Sequence, residues 1–210
     1  MHAKNPLRDF CPDPSRFDLE WLEPVVEDGV TLRPFRMTTF RLPGGPVRTY
    51  GMVGLPEGRG PFPAILHIHG GCQTASRGNL LYNIISWGGF ITWLVNGTDG
   101  TPKCAVPIYG TGGLSWPQHP DNAAWGKAPD SVRRRWARSL EPAGYACTQR
   151  SPVLHLNGAN DFFGGFDTAA QMLPSIPTDW RCDYTPNTNH GFDVGSRLAM
   201  EAWFDQPASW

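Results

Sequence analysis

Apolar and polar positions alternate from Thr31 to Leu42 and again from Val47 to Leu55, with Gly44-Gly45-Pro46 between them. Period-two patterning on both sides of a glycine-proline turn predicts two strands joined as a hairpin. Residues 1–30 are Pro-rich and predict an irregular lead-in with one helical turn around Phe17–Leu22. After the loop Pro56–Pro61, the pattern changes. Ala64–His69 is nearly all apolar, as are Cys104–Tyr109 and Pro152–Leu156, and such short runs fit parallel strands covered on both faces. Trp180–Tyr184 predicts a further strand. Helical patterns stand between and after these runs, at Ser86–Leu94, Ser131–Leu140, Phe166–Leu173 and Val194–Phe204. Strands alternating with helices predict an α/β fold, a mostly parallel sheet with helices on both faces. A single domain over residues 1–210 is expected, with residues 31–55 as antiparallel edge strands.

Composition narrows the function classes. A net charge of −1 gives no electrostatic reason to expect nucleic acid or an anionic membrane as a partner. No stretch reaches the ~18 apolar residues of a membrane span. The N-terminus lacks the apolar core of a signal peptide, which leaves the compartment open and favours a cytoplasmic setting. The five cysteines are odd in number and have no C-x-x-C spacing, which argues against a disulfide framework or a zinc site and predicts mostly buried thiols. His67 and His69 share a strand face, but no further ligand cluster joins them as a metal site needs. The arginines of 131–140 read as a solvated helix face.

The chemistry gathers at strand ends. In a parallel sheet, ligands bind beyond the carboxyl ends of the strands. Ser86, Asp161 and His190 each come just after a predicted strand, in that order along the chain. A serine hydroxyl is a weak nucleophile until a histidine takes its proton, and a carboxylate fixes the histidine's tautomer. Singly, Ser86 also fits a helix N-cap, Asp161 a turn residue and His190 an exposed loop side chain. Together, in this order, they predict a catalytic triad. A tetrahedral intermediate also needs amide donors, and the loop after Ala64–His69 (Gly71, Cys72) and the amide of Trp87 stand where an oxyanion hole is expected. Ser115, in Gly113-Leu-Ser-Trp-Pro117, imitates a nucleophile turn, but Pro117 stands where the second glycine belongs and no apolar helix comes after.

With these pieces in place, the sequence resembles the α/β-hydrolase superfamily, in its dienelactone-hydrolase-like and acetyl-xylan-esterase-like branch. The resemblance is carried by Pro61–Gly71, Ile85–Leu94, Ala105–Gly110, Pro152–Asp161 and Asn189-His-Gly-Phe192, and covers most of residues 47–205. It implies Ser86 as nucleophile, Asp161 as orienting acid and His190 as base. It also implies removal of small acyl groups, often acetyl from carbohydrate, with no cofactor or metal. Serine, where enzymes named for dienelactone use cysteine, favours the esterase side. A small-molecule or carbohydrate ester is the partner expected.

Two departures accompany the resemblance. The usual G-x-S-x-G turn reads Ile84-Ile-Ser-Trp-Gly88. Only fifteen positions separate Gly71 from Ser86, where a helix, a strand and a second helix, roughly 40 residues, would ordinarily stand. The chain is therefore expected to be a hydrolase fold lacking one central strand and its flanking helices. Two rival readings stand beside the esterase: an inactive remnant of such a hydrolase, and a peptidase of the prolyl-oligopeptidase kind.

Overall fold

A computed structural model of the chain describes residues 13–66, 68, 87–119, 122–191 and 193–206. They divide into two compact units, one within residues 10–66 and one within 67–210. The segment predicted to be cut short, Cys72 to Ile85, lies outside the described residues, as do Gly70 and Gly71.

The first unit is an antiparallel sheet. Strands β1 (Glu20–Trp21), β2 (Val25–Glu27), β3 (Val30–Leu42) and β4 (Gly45–Pro56) are arranged so that β3 pairs with all three others. The predicted hairpin is β3–β4, in register from Val30↔Pro56 to Leu42↔Gly45, with an irregularity between Thr38 and Phe40. Phe35 lies opposite Gly51, and a Cβ on Gly51 would stand 2.2 Å from the ring, so the glycine makes room for the aromatic. Trp21 meets Phe35 edge-on at 5.5 Å, and the Arg33 guanidinium sits 4.6 Å over the Trp21 ring. The helical turn predicted at Phe17–Leu22 is instead a 3-10 turn at Pro14–Arg16, where Asp13 Oδ1 accepts from the Ser15 amide, and β1 comes after it. Asp18 at φ 47° interrupts any right-handed helix there.

The predicted strand Ala64–His69 is not a strand in its described part: Ala64–Leu66 and Ile68 have no ladder, and Ile65 and Leu66 are 68% and 75% exposed. An apolar run becomes a strand only where a neighbour pairs with it. Pro61 and Pro63 also remove donors just before it.

The second unit holds the parallel sheet. Strand β5 (Val153–Gly158) is buried along its whole length and pairs in parallel with β6 (Trp180–Thr185), from Val153↔Trp180 to Gly158↔Thr185. On its other side the segment 104–109 runs parallel to it, bridging at Ala105↔Val153 and Ile108↔Leu156. Pro107 has no amide to give, which is why the predicted strand Cys104–Tyr109 survives as bridges and not as a continuous ladder.

Helices cover both faces, as the sequence predicts. Trp93 of α1 (Trp87–Thr98) packs with Ala105, Val153 and, from α4 (Phe166–Met172), Ala169 and Met172. On the opposite face, Trp203 of α5 (Val194–Phe204) packs with Ile108, Leu154 and Leu156. The alternation of Val153 with Leu154 sends the two side chains to opposite layers. Between α1 and α4 lie α2 (Asn122–Lys127), α3 (Asp130–Ser139) and a 3-10 helix, Pro142–Thr148.

Helix α1 runs on past its predicted end at Leu94 to Thr98 because tertiary contacts hold it. Asn96 Nδ2 donates to Gln149 Oε1 (2.7 Å) and to the Ser151 carbonyl (3.1 Å), and Gly97 lies so close to Tyr145 that a Cβ would be 2.9 Å from it. Glu141 is a second buried hub: its carboxylate accepts from the amides of Gly113 (2.6 Å), Leu114 (3.3 Å) and Ala143 (3.2 Å) and from Trp136 Nε1 (3.1 Å). The described cysteines differ from expectation. Cys147 and Cys182 are exposed and Cys104 is half-buried. None of the helices among the described residues is long and apolar enough to cross a membrane.

His155 sits fully buried in β5, its Nδ1 2.8 Å from the Tyr184 hydroxyl and its ring 5.5 Å from Trp93. Burial pushes its pKa down to about 4. The unfolded chain, at the ordinary value near 6.5, therefore binds a proton that the folded chain refuses between those limits. Its contribution to stability is complete above pH 6.5 and is lost as pH falls toward 4, a change of roughly 3 kcal/mol at most. The melting temperature of the parent chain is expected to fall more between pH 7 and 4 than that of His155→Gln, which keeps a polar partner for Tyr184 without the titration.

Candidate active site

Asp161 and His190 meet at the carboxyl ends of two neighbouring parallel strands. Strand β5 ends at Gly158, and Asp161 lies three residues beyond; β6 ends at Thr185, and His190 lies five beyond. The two connections are tied together by backbone. Ala159 N donates to the Thr185 carbonyl (3.0 Å) and Asn160 N to the Thr188 carbonyl (3.1 Å). Gly158 makes this approach possible, since a Cβ there would stand 2.0 Å from the Asn189 carbonyl oxygen.

The result is a buried pair. His190 Nδ1 lies 2.9 Å from Asp161 Oδ2, with the side chains 9% and 0% exposed. The other oxygen of Asp161 accepts from the Phe163 amide (2.7 Å), so the carboxylate cannot swing away. His190 Nε2 is buried and has no hydrogen-bond partner among the described residues. An imidazole held at Nδ1 with Nε2 left for another group is the arrangement a general base requires.

The surroundings fix the ring. Tyr109 packs on the imidazole with centroids 4.2 Å apart, and Phe163 and Phe162 approach it at 5.0 and 5.9 Å. Burial foremost, then the nearby carboxylates of Asp161 and Asp193, holds the Tyr109 hydroxyl well above its ordinary value, so it stays neutral. Tyr109 has φ 56°, a left-handed conformation that costs a side-chain-bearing residue about 1–3 kcal/mol. Asn189 supports the same loop, its Oδ1 accepting from the amides of His190 (3.0 Å) and Phe162 (3.3 Å).

Helix α1 starts beside this pair. A Cβ on Gly89 would lie 2.2 Å from the Tyr109 carbonyl oxygen and 2.6 Å from that of Ile108, so the first turn of the helix packs directly on the chain that carries Tyr109. Trp87 is the first residue of α1, and Ser86 is the residue before it. Ser86, Gly71, Cys72, His67 and His69 lie outside the described residues. Ser115 is exposed in a turn closed by Trp116 N donating to the Gly113 carbonyl (2.8 Å).

Sequence reasoning missed Tyr109, Asn189, Phe162 and Phe163. The signal for Tyr109 was present, because it ends a predicted strand before Gly110-Thr-Gly-Gly113, as Asp161 comes after its own. An apolar groove of about 240 Å³ lined by Phe166, Ala170, Leu173, Trp180, Cys182 and Tyr184 holds neither Asp161 nor His190. It lies apart from the chemistry.

No family pattern and no curated protein matches the sequence. Solved structures do match. Acetyl xylan esterase 1 from Thermoanaerobacterium sp. is similar at 13% identity, with 88% of this chain and 86% of that one covered and a TM-score of 0.64. An acetyl xylan esterase from Paenibacillus sp. R4 is similar at 11% identity over 95% and 90% of the two chains, with a TM-score of 0.58. A Klebsiella pneumoniae protein described as a dienelactone hydrolase is 24% identical over 59% of this chain, with a TM-score of 0.44, and the chain spans 50% of its length. On the two esterase likenesses, together with parallel strands covered by helices on both faces, the chain has the α/β-hydrolase fold.

Proposed function

We propose that the chain is a serine carboxylic-ester hydrolase acting on small acyl esters, foremost acetyl groups on carbohydrate. The observation that carries this reading is the buried Asp161–His190 pair at the strand ends, with Nε2 left without a partner among the described residues. Ser86, immediately before α1, is the nucleophile of the proposal. Its Oγ attacks the ester carbonyl carbon while its proton passes to His190 Nε2, and Asp161 stabilises the imidazolium through Nδ1–H. The amides of Trp87 and of Gly71 or Cys72 receive the oxyanion. Collapse breaks the bond to the leaving alkoxide, which takes the proton from Nε2. Water repeats the cycle on the acyl-serine, releasing the acid and restoring Ser86. Every step uses groups of the chain and water alone. The acetyl substrate is an extension from the two esterases of similar fold.

A fluorophosphonate probe is expected to label the parent chain and to leave Ser86→Ala unlabelled, and 4-nitrophenyl acetate turnover is expected to vanish with the label. A parent that takes no label, or a Ser86→Ala variant labelled to the same extent, defeats the proposal. A second reading, a folded remnant without turnover, has two observations in its favour: isoleucine at position 84 where the elbow glycine belongs, and a step of only fifteen positions from Gly71 to Ser86. Absence of both label and turnover in a chain that melts cooperatively is its expected result.

A further inference from the structure

The segment directly after Asp161 reads Phe162-Phe-Gly-Gly-Phe166, and its first two rings are left out of the core. Phe162 is 53% and Phe163 41% exposed, although each would gain about 1.5–3 kcal/mol from full burial. Exposed phenylalanines are ordinary on mobile loops, but this stretch is pinned on every side. Phe163 N is bound to Asp161 Oδ1 (2.7 Å), and Phe162 N to Asn189 Oδ1 (3.3 Å). Asn157 Nδ2 donates to the Gly164 carbonyl (2.6 Å), and Gly164 lies so near the 110–111 backbone that a Cβ would be 3.2 Å from Gly110 N. The hydrogen bonds that hold the rings are thus made to the catalytic pair of the proposed mechanism and its immediate neighbours. The two rings touch each other at 4.2 Å and stand 5.9 and 5.0 Å from the imidazole.

Position beside the histidine says which part of an ester they meet. The acyl group belongs to the nucleophile and the oxyanion amides, whereas the imidazole is the group that protonates the leaving oxygen. A side chain flanking the imidazole therefore borders the alcohol portion. The chemistry of the two rings is apolar with a π face, and they offer no hydrogen-bond donor or acceptor. They favour a flat, apolar surface laid against them.

We infer that Phe162 and Phe163 form the subsite for the leaving alcohol and select esters whose alcohol carries a six-membered ring, presented by its aromatic face or by the C–H face of a pyranose. The inference rests on the proposed ester hydrolysis, because that reaction makes His190 the donor to the leaving group. It sets the preference in the alcohol and leaves the acyl group to other residues.

Binding, measured without turnover, tests it. Calorimetric or NMR titration of the Ser86→Ala chain uses phenyl acetate, methyl β-xylopyranoside monoacetate and, as the ringless reference, ethyl acetate. At least one of the two ring esters is expected to bind roughly fivefold more tightly than ethyl acetate. The one that does so identifies the aryl or the pyranose source. Phe162→Ala/Phe163→Ala in the same background is expected to erase that preference. Both side chains are about half exposed and belong to neither core cluster, so the double variant retains the core, and an unchanged melting temperature checks this. Equal binding of all three esters by the Ser86→Ala chain, or a ring preference that survives the double substitution, overturns the inference. Failure of the hydrolase reading is seen separately, as a wild-type chain that takes no fluorophosphonate label.

Discussion

Asp161→Asn is expected to lower kcat on an acetyl ester by roughly 10³–10⁴ while KM and the melting temperature change little. Asparagine fills the same volume, and its carbonyl oxygen can still accept from the Phe163 amide, which now holds Asp161 Oδ1 at 2.7 Å. The change falls on the other atom. Where a carboxylate oxygen accepts from His190 Nδ1 at 2.9 Å, an amide nitrogen donates instead. Nδ1 must then be the acceptor, so the proton of a neutral imidazole moves to Nε2, the position needed to take the proton from serine. In the proposed mechanism the base is then present in the wrong tautomer, and the imidazolium formed during attack loses its counter-charge in a buried site. Steady-state kinetics on 4-nitrophenyl acetate reads the loss. The combined Asp161→Asn/His190→Ala variant is expected to be no slower than His190→Ala, because residues that act as one unit are not additive. A kcat for Asp161→Asn within tenfold of the parent removes the pair from the mechanism.

That such a pair is found at all was legible in the chain, and the reason is physical. Parallel strands covered on both faces must be apolar throughout, and the residues just past their carboxyl ends face a crevice. Pro152–Leu156 is such a run and pointed to Asp161, whereas Trp180–Tyr184, which carries Arg181 and Asp183 and is exposed to half-buried, pointed to His190 only as a strand-length stretch before a loop. The hairpin β3–β4 was legible from the period-two alternation on either side of Gly44-Gly45-Pro46. The features that stayed hidden depend on contacts distant in sequence. The helical pattern reads as ending at Leu94, yet Gln149 and Ser151, more than fifty residues on from Asn96, hold α1 as far as Thr98. Ala64–Leu66 reads as a buried strand, yet an apolar run carries no record of whether a partner lies beside it. Tyr109 reads as an ordinary strand residue, and only the packing of Gly89 against its carbonyl and of His190 on its ring accounts for the left-handed backbone. The outward turn of Phe162 and Phe163 is invisible in the same way, since composition assigns aromatics to the core.

Gly158→Ala is expected to be the most damaging single methyl group in the second unit. Gly158 closes β5 opposite Thr185, and its missing side chain is where the loop carrying His190 crosses. An added Cβ would stand 2.0 Å from the Asn189 carbonyl oxygen, 2.3 Å from that of Thr188 and 2.9 Å from the Thr188 carbonyl carbon. All three are backbone atoms, so no side-chain rotation relieves the contact, and the two connections must part by about an ångström or more to reach an ordinary van der Waals distance. Overpacking of this kind costs about 1–3 kcal/mol, a fall in melting temperature on the order of 2–12 °C for a chain of this size. The parting also strains the bonds from Ala159 N and Asn160 N that align the connections, and with them the 2.9 Å contact between Asp161 and His190. A misplacement of about 1 Å is enough to lower kcat by roughly 10². Gly165→Ala is the matched control, because nothing lies within 4 Å of its added Cβ, and it is expected to stay within ~0.5 kcal/mol of the parent. If both alanine variants melt and react like the parent, the close crossing at Gly158 is not what holds Asp161 and His190 together.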